Sequence, residues 1–292
     1  MRQMTRLLTT LTLLAFVGTA VMPVLAQATG YKLRRVFKVN DIRNYKRVMD
    51  MNGEMRMGEN SLSLNMQIVF QYREKVVGIK DGKATIQTNV TSMKMYMNGQ
   101  EFVPPMTPEN DPTKLVITTV VDERNKVYEV CGLERMMSTP GMGNMNFGTG
   151  FNSPVLFPEG EIRVGDTWET EIPLPNTQDA KITAKQTFVS VEKVGDVDTA
   201  RIKTEFEVPF EKLKAAGVGQ MPGAPQMTGT MRVVAYTFFD LATGNILKMD
   251  GDMVMSVQMS GGQNPQTPQN MQMHMTAKMA LTQVKEAQSP AK

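Results

Sequence analysis

The stretch "NMQMHMTAKMAL", Asn270 to Leu281, sets Met271, Met273, Met275 and Met279 around His274, the single histidine of the chain. Thioether sulfur and imidazole are soft or borderline ligands, so in an exported protein a Met-x-Met-His-Met run is a candidate copper(I) or silver(I) site. Strand geometry narrows that reading. Alternate residues of a strand face opposite sides, which puts the methionines and Leu281 on one face and Gln272, His274, Thr276 and Lys278 on the other. Residues i and i+2 lie about 6.5–7 Å apart along a strand, whereas cross-strand neighbours are about 4.5–5.5 Å apart. A thioether site must therefore recruit sulfurs across strands, and His274 is expected to be exposed on the opposite face.

Other residues offer less chemistry. No nucleophile elbow, phosphate loop, dinucleotide fingerprint or His-Glu-x-x-His pattern occurs. The lone Cys131 follows the alternating "VYEV" and is expected to be a small buried residue rather than a nucleophile. Asp250 with Asp252, Glu169 with Glu171 and Glu205 with Glu207 each share a strand face, but one opposite apolar residues, where solvated acids belong. Glu109, Asn110 and Asp111 form a turn without the ligand spacing of a calcium loop. Trp168, the single tryptophan, is expected to anchor a core at a strand start. The chain is read as non-enzymatic, with no cofactor.

Three methionine stripes are the leading candidates for function: Met93, Met95 and Met97; Met253, Met255 and Met259; and Met271, Met273 and Met275. Each occupies one face of an expected strand. Met is flexible and polarizable, so such stripes either fill a core or line an adaptable apolar groove for a lipid or another hydrophobic molecule. Three roles follow: binding or carrying an apolar molecule, an envelope structural or partner-binding module with Met as plain core, or Cu(I)/Ag(I) binding through cross-strand methionines.

Composition bounds these readings. Of the 27 methionines 24 follow residue 28, against only 11 leucines there, so Met stands where most proteins use Leu. Residues 1–28 read as an export signal, with Arg2 and Arg6 before an apolar run from Leu7 to Val21 and small residues at cleavage points after Ala26 or Ala28. No later stretch is apolar enough for a membrane helix, so the mature chain is expected to be periplasmic or secreted. The formal charge of +3 owes two units to the leader arginines. A mature surface so near neutrality argues against nucleic acid as partner; a hydrophobic ligand is the expected one, and no protein partner is assigned.

Period-two alternation dominates the chain. Met49, Met51, Met55 and Met57 oppose Asp50, Asn52, Glu54 and Arg56, and Leu62, Leu64, Met66, Ile68, Phe70 and Tyr72 alternate with mostly polar residues. Such strands build antiparallel sheets with one wet and one buried face. The alternation changes phase between Val90 and Met93, which predicts a β-bulge near Thr91 and Ser92. A short helix is expected at "PFEKLKAAG" from Pro209. The segments "VGIKDGKATIQT" and "VEKVGDVDTARIKT", and "VITTVVDERNKVYEV" and "VAYTFFDLATGNILKM", resemble each other, pointing to an internal repeat. The expected fold is mainly β: two similar antiparallel β-meanders, residues 29–135 and 159–286, joined by a Gly/Met/Asn-rich linker over 136–158 and ending in a disordered tail over 287–292. They would form one or two strongly curved, half-barrel-like sheets.

"FPEGEIRVGDTWETEIPLP" together with "FFDLATGNIL" resembles the signature of a family of secreted bacterial proteins of unknown function. That resemblance covers most of the mature chain, marks turns and strand starts, and implies no chemistry. In architecture alone, long curved strands with one apolar face are similar to the half-barrels of periplasmic lipoprotein carriers and lipid-binding lipoproteins.

Overall fold

The computed structural model describes residues 29–103, 111–132, 155–173, 181–215, 226–260 and 270–285. The expected leader, the tail, the turn residues Glu109 and Asn110 and most of the expected linker lie outside the described residues.

Twelve strands follow in order: β1 (Ile42–Met57), β2 (Asn60–Lys80), β3 (Lys83–Met97), β4 (Gln100–Phe102), β5 (Val116–Asp122), β6 (Val127–Cys131), β7 (Thr167–Pro173), β8 (Lys181–Val194), β9 (Val197–Pro209), β10 (Gln226–Asp240), β11 (Ile246–Ser260) and β12 (Asn270–Val284). The short helix expected after Pro209 is present as α1 (Phe210–Ala215). Two-residue turns at Asp81-Gly82 and Asn98-Gly99 place both central residues at positive φ, the mirror-image turn whose twist suits a tight hairpin.

Among the described residues the strands form one open antiparallel sheet ordered β6-β5-β3-β2-β1-β12-β11-β10-β9-β8-β7, with the short β4 beside β3. Apart from β4, which lies off this path, and β6 and β7, which do not pair with each other, each strand lies next to its neighbour in sequence, and the last strand has returned to pair with the first. That pairing runs from Asn44 opposite Val284 to Met57 opposite Met271. The sheet is thus an open, up-and-down one whose two edges are β6 and β7. Tyr45, Ile68 and Phe70 from the first half pack in one cluster with Ala235, Met249, Ala277 and Leu281 from the second. The two halves share a core across the β1/β12 seam.

Curvature comes from irregular pairing. Gln71 faces Ser92 while Tyr72 faces Val90, so Thr91 is the extra residue and the expected bulge is where the phase change placed it. Val90 and Met95 are both buried as a result. Further register shifts occur at Val76/Gly78 and at Phe188/Ser190. A strand of 21 residues such as β2 far exceeds the usual length and must twist and coil to stay in contact with a core.

One end of the inner face is closed by two straps. The first, Tyr31 to Asn40, bonds to both halves: the Arg35 amide donates to the Glu123 carbonyl and the Val36 amide to the Thr243 carbonyl. The second, Val155 to Ile162, is tied by the Phe157 amide to the Arg124 carbonyl and by the Asn125 side-chain amide to the Val155 carbonyl at 2.8 Å. Val155 and Phe157, assigned by the sequence reading to the end of the linker, are fully buried. They pack with Leu33, Phe188, Ile202 and Phe239. The Phe157 and Phe239 rings meet edge to face at 4.9 Å. Trp168 is half-buried against the same cluster and donates its indole N–H to the Leu156 carbonyl at 2.8 Å, the anchoring role expected of it.

Truncating Phe157 to Ala leaves a cavity under both straps and is expected to cost about 3–5 kcal/mol. Leu62→Ala, at an exposed position, should stay within about 0.5 kcal/mol. Guanidinium unfolding of the two variants beside the parent checks the difference.

Candidate ligand-binding face

The pairing register arranges the inner-face residues in rows that run across strands. At the rim Met57, Met271, Met259 and Met227 lie side by side. The next row holds Met55, Met273, Val257 and Gly229, and the one below it Gly53, Met275, Met255 and Met231. Then come Met51, Ala277, Met253 and Val233, and below them Met49, Met279, Gly251 and Ala235. Below the rim row, Gly53, Gly229, Gly251, Ala235 and Ala277 interrupt the large flexible side chains. A Cβ added at Gly53 would lie 3.6 Å from the Met275 side chain, so the methionine packs over the space the glycine leaves.

The methionine stripes occupy this inner face. Met253, Met255, Met259, Met271, Met273 and Met275 are all half-buried. Met255, Met259 and Met273 pack against one apolar cluster, Met253 and Met275 against another. On β3, Met95 is buried, Met93 half-buried and Met97 exposed beside the β3/β4 turn. Methionine pairs also oppose directly, Met255 with Met275, Met259 with Met271, and Met231 with Met255.

His274 lies on the other side of the sheet, exposed, with Nδ1 3.1 Å from the Ser256 hydroxyl. It lines a groove of about 510 Å³ of mixed character, with Glu54, Arg56, Ser256 and Gln272 beside Val257 and Met273. Met273 and Met275 alternate with it in face, half-buried where His274 is exposed. Among the described residues no three His, Cys, Asp or Glu side chains converge as a metal site would require.

Cys131 corrects one expectation, because it is exposed rather than buried. Every residue of β6 is exposed, since this strand is an edge of the sheet. Four strands separate it from β12 and His274. The paired acids lie on the convex face, and one of each pair is held by a lysine: Asp250 by Lys248 at 2.7 Å, Glu205 by Lys203 at 2.8 Å and Glu171 by Lys181 at 2.6 Å.

Between the methionine rows and the closed end lies a layer of buried ionisable residues. Arg35, Arg43, Arg47, Glu74, Tyr45 and Tyr72 are each less than 10% exposed. The Tyr45 and Tyr72 rings stack at 5.2 Å. Arg43 pairs with Asp41, and Arg35 donates to the Asn125 side-chain oxygen at 3.1 Å. Burial pushes the Glu74 carboxyl above its ordinary range, against the pull of Arg35 and Arg43. Burial also raises the Tyr45 and Tyr72 phenols and lowers the Arg35 and Arg47 guanidinium groups. Sequence reasoning passed over this layer, although its signal is present: Arg43, Tyr45 and Arg47 are in phase with Met49 and Met51, and Glu74 with Phe70 and Tyr72.

The fold and this face together define an open, curved antiparallel sheet with a methionine-lined half and a strapped half. No family model matches the chain, and no curated protein matches it. Among solved structures, lipovitellin, in a structure concerned with lipid–protein interactions, is 9% identical with a TM-score of 0.47. The match covers 88% of this chain and 26% of that one, so the chain spans about a quarter of the lipovitellin chain. An outer membrane lipoprotein-sorting protein domain from Vibrio parahaemolyticus is 11% identical over 85% of this chain and 87% of its own, with a TM-score of 0.13. A DUF1329 family protein from Desulfovibrio piger is 8% identical over 83% and 87%, with a TM-score of 0.15.

Glu74 generates a pH dependence. Its folded value lies above its unfolded one, so the folded protein holds the proton more tightly, and this contribution is present below the unfolded value and lost as pH rises through the folded value. Relative to Glu74→Gln, the parent should lose stability as pH rises above the ordinary glutamate range. Unfolding midpoints of both proteins from pH 4 to 8 measure it, and parallel profiles would refute it.

Proposed function

We propose that the protein is an exported, non-enzymatic binder or carrier of an apolar, lipid-like molecule, which lies on the methionine-lined half of the inner face. The observation that carries this reading is the division of that face. The strapped half is filled by fully buried aromatic and aliphatic side chains, while the rim half is lined mostly by half-exposed methionines, interrupted below the rim by Gly and Ala. Flexible thioethers re-pack around ligands of different shape at little cost. Each Å² of apolar surface removed from water contributes about 25 cal/mol. The placement of the candidate reactive groups agrees with binding rather than catalysis, since Cys131 and His274 sit on distant strands and one of each acid pair is held by a lysine on the convex face.

Organic extraction and mass spectrometry of protein exported by its host are expected to release a lipid or similar apolar compound, and the stripped protein should enhance an apolar fluorescent probe. Clean protein that also ignores the probe would end the proposal. Exchanging Met255, Met273 and Met275 together for Gln should weaken probe binding about tenfold or more, as polar atoms replace apolar ones in the groove.

A second reading rests on a separate observation, the adjacency of Met231, Met255 and Met275 in one row. Cross-strand neighbours about 5 Å apart let three thioethers converge on one soft ion such as Cu(I). Exchange of Met255, Met273 and Met275 for Leu keeps the face apolar, so it should abolish Cu(I) binding in a competition assay while preserving the probe. Unchanged Cu(I) affinity would dismiss the metal role.

A further inference from the structure

Arg47 stands out among the buried ionisable residues because no counter-ion pairs with it among the described residues. It is 8% exposed on the inner face of β1. In register it faces Phe70 on β2 and Leu281 on β12, and along its own strand Tyr45 and Met49 flank it on the same face. Its Nε has no hydrogen-bond partner, and one Nη reaches the Met279 sulfur at 4.0 Å, a weak acceptor. The neighbouring charges are engaged elsewhere: Asp41 pairs with Arg43, and Glu74 acts on Arg35 and Arg43. The ionisable group that acts on Arg47 is Tyr72, which burial keeps protonated.

An arginine does not escape such a position by losing its proton, because its pKa is too high. A desolvated charge without a partner is among the costliest arrangements in a fold. Three of its surroundings, Phe70, Leu281 and Met49, are apolar, so the site offers the planar fork of a guanidinium at the inner end of an apolar face. That fork matches the paired oxygens of a carboxylate or phosphate. The methionine rows begin one step rimward, with Met49 and Met279, and reach the edge at Met57, ten residues along β1 from Arg47, or about 33 Å at 3.3 Å per residue.

We propose that the molecule bound on the methionine face is an anionic amphiphile whose acid group, a carboxylate or a phosphate, seats on Arg47 while its chain runs toward the Met57/Met271 rim. The inference rests on the apolar-binding reading above and adds the charge and direction of the ligand. The acid completes the interactions of Arg47, and the chain covers the half-exposed methionines.

The test compares one chain with three heads. Tetradecanoate, tetradecyl phosphate and tetradecanol are used at pH 7.5 to displace an apolar fluorophore from delipidated full-length protein. At least one acid is expected to bind ten times or more tighter than the alcohol, and the tighter of the two assigns the head. Arg47→Met should erase that preference and leave the alcohol unchanged, while Arg47→Lys should retain part of it. Equal binding of all three, or a preference that survives in Arg47→Met, overturns the Arg47 seat and leaves the apolar site standing. Binding of inorganic phosphate alone, lost in Arg47→Met and not improved by the chain, makes it a seat for a free anion and refutes the amphiphile. Failure of all three chains refutes the apolar site itself. The ranking of heads on the parent protein decides the matter even if a variant does not fold.

Discussion

Everything else in the molecule depends on the pairing of its first strand with its last. Without the β1/β12 seam the chain would be two meanders, each with a long unpaired edge, which is an invitation to aggregation. With it, long ladders of backbone hydrogen bonds join the halves, and Tyr45, Ile68 and Phe70 pack against residues more than 150 positions away in sequence. The seam also fixes which residues share a row. A slip of one residue would send Met271, Met273 and Met275 to the convex side and bring His274 inward. The methionine face is therefore a property of the register and not of the composition alone.

The open edges at β6 and β7 are the complement of that seam. A fully closed ring would have no edges and an interior filled or capped at both ends. Here the straps from Tyr31 and from Val155 close one end by hydrogen-bonding to both halves, and they bring large side chains with them. Phe157 and Leu33 do the filling at that end. The described residues bring no comparable strap to the rim, where the inner side chains are mostly methionines, interrupted below the rim by Gly and Ala. One sheet thus provides a rigid, strapped half and an adaptable half, joined by the buried ionisable layer.

Much of this was legible in the sequence wherever the signal was local. Period two gave the faces of β1, β2, β11 and β12, and the change of phase after Val90 located the bulge at Thr91. The orientation of His274 followed from alternation alone. The return of β12 to β1 was not legible, because pairing partners so far apart leave no mark in a single chain. Cys131 was misplaced because the alternation of "VYEV" is the same on a covered strand and on one at an open edge. The buried layer was overlooked for a different reason. Arginine and glutamate on a strand are normally counted as the wet face, and phase was given less weight than chemistry at Arg43, Arg47 and Glu74.

The use of methionine in place of leucine follows from the rows. A leucine is branched and settles into few rotamers, so a checkerboard of Leu and Gly would either leave voids or lock into one packing. An unbranched thioether such as Met275 can lie across the neighbouring Gly53 in the empty state and swing away when something else fills the space. The cost is a loosely specified surface, which is tolerable because the fold is secured elsewhere, by the seam and by the strapped end. Arg47 then has a position that this arrangement makes intelligible. It stands at the last point where the adaptable half meets the rigid one, anchored between Phe70 and Leu281. A charge there is held in place by a rigid core while facing the part of the interior built to accept a guest.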